Sequence, residues 1–382
     1  MRPGRVNYLE GLRGIAAMQV VLLHFVTGFL PDTADHAWPP LHILFDGHTA
    51  VYVFFLISGA VLTPSFARPG NVAGKVAKRV VRLGIPVAAA AAIATALLAL
   101  LPAAHLRAAE LTGSPWLAMD SSGAPTLGHL AREIGLDSLL LGYREATLFA
   151  PLTHELSPME HSLDAPFWSL HLELYGSLLV MCLVLLRARS VWLHRATVVA
   201  AALAFGTHPM FLFVLGHILP LPRNGGGLAR GCIGGLLLML GLALCATKDW
   251  HVVEVLRLRL GHTEFASAPS LFQFQSQLGA VALYLGVLWC PLVWRTLESG
   301  PCRHLGRLSF GIYLLHFPIL FTLVCGAFIG LNEWLPHSAA VAASFGILLA
   351  LTLAAALLFE RWVDRPAIAL SRRADAVRWQ AA

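Results

Sequence analysis

The sequence predicts an all-α integral membrane protein, a single bundle of about ten transmembrane helices. Three observations carry this. Of 382 residues, 57% are hydrophobic and only 13% charged, against about 25% charged in soluble domains. Mean hydropathy is +0.70. Apolar runs long enough to cross a bilayer, which takes about 20 residues, recur along the chain between short basic loops. The period-two alternation of an outer-membrane barrel is absent from the sequence.

The runs fall near 9–30, 49–65, 83–101, 166–186, 196–207, 209–221, 230–247, 278–297, 307–330 and 338–360. Basic residues cluster at Arg2/Arg5, Arg68–Arg82, Arg187–Arg195, Arg223/Arg230, Arg295–Arg307 and Arg361–Arg378. Positive loops mark the cytoplasmic side, which gives a consistent map with both termini inside. Residues 1–370 then form one transmembrane domain, and 371–382 a short basic cytoplasmic tail. On this map 196–221 begins and ends on the same side and is too short for two full spans. With His208-Pro209 in its middle it reads as two short or broken helices, a form tolerated where backbone packs in protein. The polar stretch 102–165 is placed outside, with a short helix near 127–142. It carries Asp120, His129, Asp137, His154, Glu155, Glu160, His161 and Asp164. A second outer loop, 248–277, carries Trp250, His251, Glu254 and His262. Loops of this length are usually functional or mobile. No internal repeat is visible, and the first apolar run is expected to be retained rather than cleaved as a signal peptide.

The net charge of +6 is spread over loops and ends instead of forming a basic face interleaved with aromatics, so no nucleic-acid partner is expected. The six cysteines (Cys182, Cys232, Cys245, Cys290, Cys302 and Cys325) form no CxxC pair and no Cys/His pattern. They read as reduced packing residues, and no metal is expected.

Candidate chemistry begins in the first run, YLEGLRGIAAMQVVLLHF. Arg13 and His24 are eleven residues apart, which returns them to one helical face about 16 Å apart along the axis. Ionisable groups inside a span are expensive and point to function. Glu10 stands three residues before Arg13 and can pair with it. Counting 1.5 Å per residue puts His24 about 22 Å from the cytoplasmic side and Glu173, in PFWSLHLELYGSLL, about 10 Å from the outer side. In a core about 30 Å thick these levels coincide, so Glu173 is a candidate to orient His24 as a general base. His171 faces elsewhere and reads as packing.

KVAKRVVRLGIP places Arg79 and Arg82 one helical turn apart, a pair able to grip phosphates, although basic residues here also serve as topological markers. In SFGIYLLHFPI, Tyr313, His316 and Pro318 lie near mid-membrane, and in FFLISGAVLT the pair Ser58-Gly59 permits close helix approach.

Together these segments resemble acyltransferase family 3, polytopic membrane enzymes that move acyl groups, mostly acetyl, onto carbohydrates and some other acceptors. LEGLRG is similar to the family's L-D-G-L-R-G opening, and Arg13 with His24 fits its R-x10-H pattern. FFLISG is similar to F-F-x-x-S-G, Arg79/Arg82 to its R-x-x-R, and FWSLHLELY to W-S-L-x-x-E-x-x-Y. LGRLSFGIYLLHFPI resembles L-G-x-x-S-Y-x-I-Y-L-x-H-x-P, and FERWVDRP the closing E-x-P region. The chain departs from the pattern at Glu10, where Asp is usual, at Phe310, where Tyr is common, at Tyr175, two residues after Glu173, and in its stretched closing motif.

The resemblance implies a multi-pass protein of a bacterial inner or plasma membrane that takes acetyl-coenzyme A, or another acyl-coenzyme A, on the cytoplasmic side. The acceptor would be a carbohydrate or glycolipid hydroxyl outside. It implies His24 as the catalytic histidine, with Arg13, Arg79 and Arg82 holding the donor beside Glu10. Trp168, Ser169, Tyr313, His316 and Ser58 are the expected substrate contacts. Direct attack and a transient acyl-histidine are both compatible with these residues. A hydrolase-like extra domain is not expected after the last span. The rival reading is a secondary transporter using the buried Arg, His and Glu as a solute or proton path; the lack of a repeat counts against it.

Overall fold

A computed structural model describes residues 7–36, 38–119, 125–149, 155–219, 221, 227–247, 250–260 and 274–376. Asp120, His154 and His262 lie outside the described residues, as do Arg2, Arg5, Arg223 and Arg378. The described elements are all helical. In chain order the principal ones are α1 (Asn7–Phe29), α2 (Gly47–Phe66), α3 (Val72–Leu100), α4 (Trp168–Arg189), α5 (Val191–Phe205), α6 (Met210–Ile218) and α7 (Leu228–Ala246). They continue with α8 (Phe274–Trp289), α9 (Pro291–Leu297), α10 (Gly300–Ile319), α11 (Cys325–Asn332), α12 (His337–Phe359) and α13 (Arg365–Ala376). Wide π turns at Leu320–Val324 and Glu360–Asp364 join α10 to α11 and α12 to α13.

Seven helical stretches are long and apolar enough to cross a membrane, or eight if α8 and α9, bent by 96°, count as one broken span. The expected count of about ten is therefore not reached among the described residues. The shortfall lies where the sequence itself is ambiguous. Run 196–221 is two short helices, α5 and α6, broken at 206–209, and α6 is buried against α2. Run 278–297 is divided ahead of Pro291, at which no helical N–H is available.

Close approaches of backbone organise the bundle. A Cβ on Gly14 of α1 would lie 2.5 Å from the Gly306 nitrogen of α10, and one on Gly306 would lie 2.0 Å from the Glu10 carbonyl oxygen. α2 and α6 meet in the same way, Gly59 on Phe213 and Gly216 on Leu56. Small residues permit such contacts between membrane helices, where dispersion and not water drives association. α13 lies along α3 and runs through residue 370, so the expected tail boundary falls within a helix.

The stretch 102–165 contributes helices at Ala104–Thr112 and Leu127–Arg132, a π-helical turn at Glu133–Leu141, and buried loop. Leu163, Asp164 and Phe167 are each at most 3% exposed, so the chain is already inside the protein before α4 begins.

Candidate active site

Two cavities are stacked end to end along the bundle. α1 and α3 run one way and α2 the other, and each contributes residues to both spaces at different levels along its length, while α4 lines both from its first two turns. The first cavity, about 190 Å³, is lined by Arg13, Ser58, Arg79, Arg82, Ser169, Glu173 and Tyr313 among others. The second, about 520 Å³, is lined by His24, His48, Trp116, Arg144, Glu145, Trp168 and Tyr313 among others, and is roofed by the loop residues Pro158–Leu163.

The basic cavity takes its charge from α1 and α3. Asn71 caps α3 by accepting from the Gly74 amide (3.0 Å), so the helix starts at Val72. Arg79 and Arg82 accordingly stand on a helix wall within the bundle, a correction to the expectation that they lie in a loop before a span at 83. The four cations between 75 and 82 lower the local hydropathy without breaking the helix. Arg79 forms an ion pair with Glu173, whose Oε1 also accepts from Ser58 Oγ at 2.8 Å. Arg82 pairs with Asp364 on the second π turn and lies over Phe310. Arg13 makes no ion pair among the described residues; its guanidinium carbon lies 5.8 Å from the Phe54 ring centroid. Among the described residues no ion pair within 4 Å joins Glu10 to Arg13, although Glu10 acts on it electrostatically, and Glu10 lines neither cavity, its turn of α1 being pressed against Gly306.

The anticipated Glu173–His24 pair is also corrected. Glu173 belongs to the basic cavity and His24 to the other. The depth count takes α4 to start at the membrane boundary, whereas α4 is entered from a loop at 162–167 that is buried in the protein, so it shares no surface starting plane with α1. The partner of His24 is instead His316: Nδ1 of His24 lies 2.7 Å from Nε2 of His316, and Nδ1 of His316 lies 2.9 Å from the Ile312 carbonyl oxygen. A carbonyl only accepts, so Nδ1 of His316 carries the proton. Nε2 of neutral His316 must then accept from His24 Nδ1–H, which leaves Nε2 of His24 unprotonated. The His24 ring is held between His316 and Trp116, with centroids at 5.0 and 5.3 Å, and Phe317 is edge-on.

Tyr313 donates to the Pro166 carbonyl (2.9 Å) and lies 2.7 Å from Ser169 Oγ. His171 accepts from the Leu148 amide, which agrees with a packing role. Behind the larger chamber, Glu133 accepts from Tyr143, from Ser138 Oγ (2.9 Å) and from the Leu163 amide (3.2 Å). Burial raises the Glu133 carboxyl pKa, and burial together with the nearby Glu133 raises that of Asp164 well above the ordinary carboxylate range.

Residue by residue, the structure brings Arg13, Arg79, Arg82, Ser58, Ser169 and Glu173 to one cavity, and His24 and Trp168 to the other, with Tyr313 on both. His316 stands behind His24. Asp364, Trp116, Arg144 and Glu145 were not singled out from the sequence. Of these, only Asp364 lay in a quoted motif, and nothing in its spacing pointed to Arg82, 282 residues away.

The model of the acyltransferase family 3 domain matches residues 6–361, nearly the whole chain. The chain belongs to acyltransferase family 3. No curated protein and no solved structure matches it. As a family 3 protein with seven to eight candidate spans among the described residues, it is an integral, multi-pass membrane acyltransferase. For an acyltransferase the two stacked spaces have a direct chemical sense: one is cationic, and the other presents a histidine with a fixed tautomer.

Proposed function

We propose that the enzyme moves an acyl group, most simply acetyl, from a cytoplasmic acyl-coenzyme A to a hydroxyl of a carbohydrate or glycolipid on the opposite side of the membrane. The observation that carries this reading is the placement of Arg13 and His24 on one face of α1, each in its own cavity. A polyanionic donor fits the cationic space, and a hydroxylated acceptor fits the larger one, whose walls hold Trp116 and Trp168 beside Arg144 and Glu145.

Within the cationic cavity the arginines have separate tasks. Arg79 is neutralised by Glu173 and ties α3 to α4, with Ser58 of α2 on the same carboxylate. Arg13, with no ion pair among the described residues, and Arg82, more open than Arg79, are left to contact phosphates or the thioester carbonyl.

His24 acts as general base. Its Nε2 takes the proton of the acceptor hydroxyl as that oxygen bonds to the thioester carbonyl carbon; the carbon–sulfur bond then breaks, and the proton passes from His24 to the departing thiolate. His316 holds the ring through Nδ1 and stabilises the imidazolium while it exists. The test is thiol release by purified protein in lipid given acetyl-coenzyme A and mixed surface glycans, with a folded His24→Ala variant beside it. Release by the native enzyme alone supports the reading. Binding of donor by neither protein, with no release, overturns it.

A further inference from the structure

Two side chains, Val51 and Tyr313, line both cavities. Tyr313 is 6% exposed, and its ring is edge-on to Phe54 (centroids 6.1 Å apart), the residue over which Arg13 lies. One turn further along α10 is His316, behind His24. The ring of Tyr313 thus fills the layer between the last cation of one cavity and the histidine of the other. Its hydroxyl is fastened to the start of α4 through Pro166 and Ser169.

We infer that Tyr313 is a movable partition, closed in the resting protein and displaced when the donor's acyl arm passes from the cationic cavity to His24. The inference rests on the proposed route of transfer. Two polar spaces stacked across a bilayer need a dry layer between them, or ions and water cross freely; an aromatic ring supplies it. The fastening is two neutral hydrogen bonds, each of small net value, so a bound substrate can displace it. An alternative partner for the hydroxyl lies close by. Asp164, two residues before Pro166, is fully buried, has both carboxyl oxygens without a hydrogen bond, and acts electrostatically on Tyr313.

Purified protein in sealed phospholipid vesicles, with an entrapped pH-sensitive dye and an external pH step, reads the partition without donor or acceptor. Wild type and His24→Ala are expected to be as tight as each other. Tyr313→Phe, which keeps the ring and loses the fastening, should leak up to about a hundredfold faster, the shift in open population expected for the loss of two hydrogen bonds. Tyr313→Ala should leak faster still. A folded Tyr313→Ala as tight as wild type overturns the inference, and so does a His24→Ala that leaks equally. With acetyl-coenzyme A and acceptor added, Tyr313→Ala should raise the ratio of thioester hydrolysed to acyl transferred; an unchanged ratio also overturns it. Failure of the acyl-transfer reading itself shows as no turnover by wild type, which leaves the leak measurement unaffected.

Discussion

His24 and His316 share a single proton-bearing contact of 2.7 Å, and the direction of that contact is set by a third group, the Ile312 carbonyl. The second histidine therefore works as an acceptor and not as a second base. His316→Ala should lower kcat by about a hundredfold, within the range of general-base contributions, with little change in donor KM. His316→Gln, whose amide oxygen can accept from His24, should recover part of the loss. Steady-state kinetics on the two variants separates this positioning role from simple packing, which would treat both alike.

The division of labour among the arginines has its own signature. Arg13→Gln should raise the donor KM by about tenfold or more, the value of one charge-assisted hydrogen bond. Arg79→Gln should chiefly cost folded protein, because it strands Glu173. Removing one partner of a buried pair costs about 3 kcal/mol, less for this partly buried one, and the Arg79→Gln/Glu173→Gln double variant should recover much of it. Thermal unfolding in detergent reads the coupling.

Gly14 and Gly306 face each other where α1 crosses α10. Gly306→Ala places a methyl carbon against the Glu10 carbonyl and should destabilise the bundle by about 1–3 kcal/mol. The unfolding midpoint of the variant checks this, and the Arg13 side of α1 should lose donor affinity in parallel.

Asp164 gives a pH-dependent outcome. Its folded pKa is raised, so the protonated form is favoured by folding, and the associated stability is present at low pH and lost as pH rises through the folded value. Asp164→Asn, permanently neutral, should match wild type only below about pH 4, the ordinary Asp range, and become increasingly more stable than wild type as pH rises from there towards the raised folded value. Unfolding midpoints over that range decide it, and parallel curves would count against a buried neutral Asp164.

Helix existence is readable from the runs of apolar residues, and Arg13 with His24 from their shared helical face, whereas the F-F-x-x-S-G and L-G-x-x-S segments are legible only through their resemblance to the family's motifs. What was not legible is contact between helices. Nothing in the local pattern pairs Arg82 with Asp364 or His24 with His316, 282 and 292 residues apart. The Glu173 error has the same root. Depth counted along one helix assumes a common starting plane, and the buried residues Leu163 and Asp164 show that α4 starts from within the protein. Charge density misled in a similar way at Lys75–Arg82, where a continuous helix reads as a loop.

The stacking of the two cavities has a pharmacological consequence. Because Arg13 opens to one space and His24 to the other, a compound lodged among the arginines and a compound lodged beside Trp116 do not contend for the same volume. Two inhibitors of unrelated chemistry can then occupy the enzyme together, each non-competitive toward the substrate of the other space, and a resistance substitution selected against one leaves the other its contacts unless it falls on Val51 or Tyr313, the residues both spaces share.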